Sequence, residues 1–266
     1  MQASVLGIGL LVPGMIGWNQ GRAVLSGAHI YDPSVVPEPE ATLLPPNERR
    51  RSSDCVRWAV QVAQEAILQS GLDPRDVATV FASSGGEMGV LDKLCRALAT
   101  SERVISPTLF HQSVHNTAAG YWGIATTCQQ SSTALSCYDD SFAAGLLEAL
   151  TVVCVEEQPV LLVAYDLPAP QPLFEARPLV AGFAAALVLV PAADQAIASF
   201  HWRLEERGNS EAATSIHPLL ESLCIGNPAG RALPLLEAVA NGGQRTVRFT
   251  LLEEQQISVD VGPCRR

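Results

Sequence analysis

The chain has 266 residues, of which 48% are apolar and 17% charged, with a net charge of -10. This is enough material for one large domain or two small ones around a sizeable core. The acidic balance, with no basic patch to offset it, excludes general nucleic-acid binding.

The apolar run Val5 to Val12 has no basic segment before it and is broken by Gly7, Gly9 and Pro13, so it reads as a buried strand and not as a signal peptide. A proline-rich loop follows over residues 31–47. Ser52 or Ser53 can cap a helix whose apolar stripe is Val56, Ala59, Val60, Ala63 and Ile67, with Gly71 as its stop. Leu72-Asp73-Pro74 turns the chain into a strand over Ala78 to Ser83. Ser84-Gly85-Gly86 then opens a helix with Leu91, Leu94, Cys95 and Leu98 on one face. A helix opening at Asn116, a short strand Thr133 to Ser136 and an Ala/Gly/Leu helix from Phe142 to Val155 come next. The last is apolar nearly all round and therefore belongs in the interior.

Val160 to Tyr165 and Ala184 to Val190 show no polar alternation, as in the middle of a sheet covered on both faces. A strand near Ala198 to Leu204 follows. The weaker tail holds a helix around Leu235 to Val239, closed by Asn241-Gly242-Gly243, and two alternating strands, Thr246 to Leu251 and Gln256 to Val261, that read as a hairpin. No apolar stretch reaches the length of a membrane span. The seven cysteines (Cys55, Cys95, Cys128, Cys137, Cys154, Cys224, Cys264) form no Cys-x-x-Cys pair, which argues against a zinc site or a disulfide framework and fits a reducing cytoplasm.

Few chemical motifs stand out. Ser83-Ser84-Gly85-Gly86 has the look of a phosphate-binding turn but lacks the lysine of a P-loop, so a plain strand-to-helix turn is expected. His111 and His115 lie four apart with no third ligand nearby in sequence, so no metal site is expected.

The run Ser136-Cys137-Tyr138-Asp139-Asp140-Ser141 sits at a strand-to-helix turn. Val5-Leu6-Gly7-Ile8-Gly9, Arg49-Arg50-Arg51 before the Val56–Ile67 helix, Gly71-Leu72-Asp73-Pro74, Asn116-x-x-Ala119-Gly120, the Val160 to Ala164 strand and Arg177-Pro178 with Gly182 follow in order. Together this set resembles the β-ketoacyl synthases of the thiolase-like superfamily, over roughly residues 5 to 205. The resemblance implies an α/β fold, the layered α-β-α thiolase-like arrangement. It corresponds essentially to the N-terminal half of a ketoacyl synthase (1–205), with a shortened C-terminal extension (206–266) of a helix and an expected β-hairpin packing on the same domain.

In that family the strand delivers a nucleophilic cysteine to the N-terminus of a buried helix. Laid on the pattern, Ser136 falls on the family's serine and Asp139 on its cysteine. Condensation needs a thiolate to hold the acyl chain and hydrogen-bond donors for the enolate, which two histidines supply in the family. Asp139 cannot be the first. His201 and His217, the histidines after the Val160 strand, match neither histidine motif.

The resemblance therefore points to no catalytic residue. It points to a chain-length-factor-like subunit, similar to the short synthase-like proteins of bacterial aryl-polyene pathways. Such a subunit would form a heterodimer with an active β-ketoacyl-ACP synthase, shape the acyl tunnel and meet acyl carrier protein through the complex. No cofactor and no metal are implied. The interface and tunnel are expected from Phe110 to Ser136, through Phe110, Asn116, Gly120, Tyr121, Trp122, Thr133, Leu135 and Ser136, with Tyr121 and Trp122 also readable as core aromatics. A sheet lacking its second half would leave apolar surface for a partner to cover.

Asp139 and Asp140 have a plain reading as caps of the following helix. Two other functions remain open. One is an active synthase or acyltransferase using Cys137, which needs a two-residue register slip where a core cysteine is the plainer reading. The other is a free-standing acyl-binding or regulatory module.

Overall fold

The computed structural model describes residues 1–207, 217–242, 244–252 and 254–263. In chain order the elements are β1 (Gln2–Val12), β2 (Met15–Ile16), α1 (Trp18–Leu25), α2 (Pro46–Arg51), α3 (Asp54–Ser70), β3 (Ala78–Ala82), α4 (Met88–Leu98), α5 (Pro107–Gln112), α6 (Thr117–Thr126), β4 (Ser132–Leu135), α7 (Ser141–Thr151), β5 (Val160–Asp166), α8 (Leu173–Ala176), β6 (Phe183–Val190), β7 (Ala198–Glu206), α9 (Pro218–Gly226), α10 (Leu233–Ala240), β8 (Arg245–Leu251) and β9 (Gln255–Gly262). A 3-10 turn at Tyr138–Asp140 links β4 to α7.

The strands form one mixed sheet in the order β4-β3-β5-β6-β1-β7-β9-β8, with β2 folded back on β1. β4, β3 and β5 run parallel, and the remaining pairings are antiparallel. Period-two side-chain alternation splits the core into two clusters, one on each face of the sheet. On β5, Val160, Leu162 and Ala164 join one cluster, while Leu161, Val163 and Tyr165 join the other. On β6, Leu187 and Leu189 face one side, Ala186 and Val188 the other. Strands with both faces covered carry no polar residue in either set, which is why these runs read as continuously apolar.

One face is covered by α3 and α6, the other by α1, α7 and α10. The Ser53 hydroxyl caps α3 by accepting the Val56 N–H, and Gly71 closes the helix in the left-handed region. The expected stripe is buried in full, together with Cys55, Trp58, Val62 and Ala66. α3 lies close on β1 because the strand presents glycine there. A Cβ at Gly7 would stand 1.9 Å from the Ala66 carbonyl oxygen, and one at Gly9 would stand 2.0 Å from that of Val62.

Two expectations need correction. On α4 the buried residues are Val90, Asp92 and Leu94, while Leu91, Cys95 and Leu98 turn outward. The three outward residues form a stripe, but it faces away from the core. Among the described residues, the C-terminal part of the sheet also leaves no bare apolar face. β7 and β9 alternate, so Phe200, Trp202, Ile257, Val259 and Val261 enter the core. Their opposite face carries a polar ladder in which Arg203 pairs with Asp260 at 2.9 Å, Glu205 accepts from Gln256 at 2.9 Å and Thr246 donates to Asp260 at 2.6 Å. Among the described residues, no helix is long and apolar enough to cross a membrane.

Candidate functional site

The parallel part of the sheet sets the site. β4 and β5 flank β3, so the carboxyl ends of all three strands open at one edge, where open α/β sheets commonly bind ligands. β3 contributes the Ser83–Gly86 turn, β4 the Ser136–Asp140 turn, and β5 its last residue, Asp166.

The Ser83–Gly86 turn is an anion cradle already filled from within the chain. One Asp166 carboxyl oxygen accepts the Ser83 hydroxyl at 3.0 Å, the Ser84 N–H at 2.8 Å and the Gly85 N–H at 3.1 Å. The other oxygen has no hydrogen-bond partner among the described residues. Asp166 is 2% exposed. Burial pushes its acid up to about 6, against the lowering pull of the Gly85 N–H and the Ser83 hydroxyl. On the far side of the turn Glu87 is also buried and accepts the Ser53 hydroxyl at 2.8 Å. Burial raises it to about 7. The Cys55 thiol between them is raised well above its ordinary range, by burial first and then by these carboxylates.

The β4–α7 turn holds a second charged lattice. Tyr138 adopts φ +50, in the left-handed region, and the residue as a whole is two-thirds exposed. The Arg177 guanidinium lies over that ring, 3.7 Å from its centroid. The same guanidinium donates to Asp139 and to the Ser84 hydroxyl, each at 2.7 Å. Arg231 donates to Asp140 at 2.8 Å and approaches Asp139 at 3.5 Å. The second Asp140 oxygen accepts the Leu252 N–H at 3.2 Å. Asp139 and Asp140 of this lattice also line an open hollow of about 550 Å³, with Cys137, Tyr138, Arg207, Thr250 and Leu252.

The capping expected of Asp139 and Asp140 does not occur. Neither carboxylate bonds to the start of α7. The Ser141 hydroxyl serves the turn instead, accepting the Cys137 N–H at 3.0 Å and donating to the Tyr138 carbonyl at 2.7 Å. The aspartates are drawn away by two arginines whose planar forks pair better with carboxylates than lone backbone N–H groups do.

The other expected positions divide into surface and support. β4 lies at one end of the sheet and, among the described residues, pairs with β3 only. Thr133 and Leu135 on β4 are half-buried, and Ser136 is exposed, with its hydroxyl donating to the Ser84 carbonyl at 3.2 Å. Phe110 is exposed on α5, and Asn116 and Gly120 are exposed at the start of α6. Tyr121 and Trp122 are buried in the core and back this surface from behind. The Tyr121 hydroxyl accepts from Gln112, which also donates to the Arg51 carbonyl.

His115 reaches the Leu135 carbonyl at 3.0 Å. His201 lines a groove with Gln2 and Asp260, and His217 meets Tyr31 edge-on. The sequence reading missed Tyr138, Arg231, Glu87 and Asp166. A carboxylate ending an otherwise apolar strand was the one local signal, and Asp166 alone carried it.

A family model for the N-terminal domain of β-ketoacyl synthase matches residues 23–224. No curated protein sequence matches the chain. Among solved structures, a chain from the ketosynthase ApeO in complex with its chain length factor ApeC, from Xenorhabdus doucetiae, superposes with a TM-score of 0.74 at 23% identity, over 98% of this chain and 99% of that one. A chain of the ishigamide ketosynthase/chain length factor gives 0.72 at 12% identity, over 100% of both chains. A chain of AntDE:AntF, a type II PKS acyl-carrier protein in complex with its ketosynthase, gives 0.76 at 12%, over 98% of this chain and 99% of that one. At these identities the likeness establishes a shared fold.

Proposed function

The chain belongs to the β-ketoacyl synthase N-terminal domain family, and on that premise we propose that it is a non-catalytic, chain-length-factor-like subunit. It pairs with an active β-ketoacyl-ACP synthase and shapes the acyl tunnel of a fatty-acid-like or aryl-polyene pathway in the cytoplasm. The observation that carries the proposal is Asp139. It stands where the family places its nucleophile, and it is held there by Arg177 and Arg231. A carboxylate neutralised by two guanidinium groups neither attacks a thioester nor forms one. The enolate-stabilising histidines of the family have no counterpart beside it, because His201 and His217 lie with Gln2 and Tyr31.

The edge strand supports the pairing half of the proposal. β4 offers an open row of backbone groups of the kind that a partner strand completes. Elsewhere on the surface, the outward residues Leu91 and Leu98 of α4 and Phe110 of α5 give apolar surface on two helices that touch each other. That the structural relatives come from ketosynthase–chain length factor complexes accords with this reading.

Co-expression with each β-ketoacyl-ACP synthase of the same genome tests the proposal. One of them is expected to co-purify in equal amount, and its product length to change when this subunit is withdrawn. Failure to co-purify with any of them would reject it.

A further inference from the structure

We infer a binding site for a small zwitterion, carrying an ammonium and a carboxylate a few atoms apart, in a hollow where α3 and α4 begin. The hollow measures about 620 Å³, a usual size for a small-molecule site, and the loop at residues 37–39 forms one wall. No residue of the β4–α7 turn lines it, and the inference does not depend on the pairing role proposed above.

Two lining residues are more than nine-tenths buried and keep a polar atom unused. Glu87 is 6% exposed and Trp58 is 9% exposed. Glu87 is the N-cap residue of α4, yet its carboxyl does not cap that helix. One of its oxygens accepts the Ser53 hydroxyl, and the other has no partner among the described residues. The Trp58 indole N–H likewise has no acceptor among them. Neither atom is sealed in the interior, as the Trp122 N–H and the second Asp166 oxygen are. Gly182 seats the other end of the indole, since a Cβ there would stand 3.1 Å from Trp58 Cη2. Buried polar groups are normally hydrogen-bonded, so a free acceptor and a free donor on one hollow mark groups left for a ligand.

The surrounding charges decide the kind of ligand. Arg57 and Asp54 of α3 neutralise each other. The Cys55 thiol donates to the Gly86 carbonyl, and Asp166 beyond it is held by the Ser83–Gly86 turn. Glu38 adds one exposed acid from the loop. Lys93 of α4 is exposed at the same hollow and has no ion pair among the described residues. The hollow therefore offers an unpaired carboxyl inside and an unpaired ammonium at its mouth. A lone anion would meet Glu87, and a lone cation would meet Lys93. A molecule with both charges satisfies both: its ammonium pairs with Glu87, and its carboxylate takes the Trp58 N–H and Lys93.

The test is isothermal titration calorimetry of the full chain with glycine, β-alanine, γ-aminobutyrate and δ-aminovalerate, which step the distance between the two charges. Ethylamine and acetate serve as the separate halves. One zwitterion is expected to bind at least tenfold more tightly than either half. Its binding is expected to weaken about tenfold from pH 8 to pH 6, because the ligand ammonium stays charged while Glu87, raised by burial to about 7, must be ionised. E87Q is expected to lose both the binding and its pH dependence. W58F keeps a ring but removes the N–H, and is expected to bind several-fold more weakly with the pH dependence unchanged; it decides the matter alone if E87Q does not fold. No binding of any zwitterion to the wild type would overturn the site, as would equal binding of ethylamine or acetate, or wild-type affinity in folded E87Q or W58F.

Discussion

Arg177 donates to Asp139 at 2.7 Å, so this carboxylate is spent on an ion pair and not on capping the helix behind it. This pairing has direct consequences for chemistry. Restoring a thiol with Asp139→Cys supplies a nucleophile beside a guanidinium, but no pair of enolate-stabilising donors accompanies it. His115, the histidine nearest in the fold to β4, is held by the Leu135 carbonyl. D139C is therefore expected to show no condensation above background when the purified chain is assayed for product from acyl and malonyl carrier proteins.

The two buried acids make stability fall as pH rises. Glu87 titrates at about 7 and Asp166 at about 6 in the folded chain, both above their ordinary values because burial disfavours the charged form. The folded state thus binds more protons than the unfolded state between about pH 4 and pH 7, and unfolding becomes easier across that window. Each group is worth on the order of 3 kcal/mol once fully ionised. The melting temperature is expected to be higher at pH 5 than at pH 8. E87Q, which keeps an acceptor for Ser53, should remove much of the slope.

Packing of α3 on β1 leaves no room at two glycines. Gly9→Ala would place its methyl 2.0 Å from the Val62 carbonyl oxygen, so the helix must lift from the strand. The expected loss is about 3 kcal/mol, the upper range for overpacking a close contact, read from the denaturation midpoint. Gly71→Asn, at a left-handed C-cap open to solvent, is the control and should cost far less.

The open edge of β4 can be blocked without breaking the ladder. The carbonyls of Ser131 and Leu135 accept from β3, so in a parallel ladder the alternate residue Ala134 turns its N–H outward. Ala134→Pro deletes that donor and is tolerated at an edge. It is expected to cut recovery of the synthase partner at least tenfold in co-purification while leaving the chain's own helical circular-dichroism signal in place.

Much of the fold was legible because burial on both faces leaves a simple mark. β5 and β6 are apolar throughout, and α3 carries its stripe between a serine cap and a glycine stop. α1 left no such mark. It starts at Gly17 with no side-chain cap and buries Trp18, Gly21, Val24 and Leu25, a short and broken pattern. α4 misled because its apolar stripe is real but points away from the core. At the site, the spacing around Asp139 placed the turn correctly from sequence. The lattice was invisible there because Arg177 and Arg231 lie 38 and 92 residues beyond Asp139, and only the sheet order brings them back to it.

The most direct measurement is intact-protein mass spectrometry of the co-purified complex after incubation with an acyl carrier protein thioester. The account predicts one acyl adduct, on the active-site cysteine of the synthase partner, with this chain unmodified and Cys137 still free to react with iodoacetamide after unfolding. An acyl adduct on this chain at Cys137 would contradict it, because a thioester there would make the subunit an enzyme in its own right.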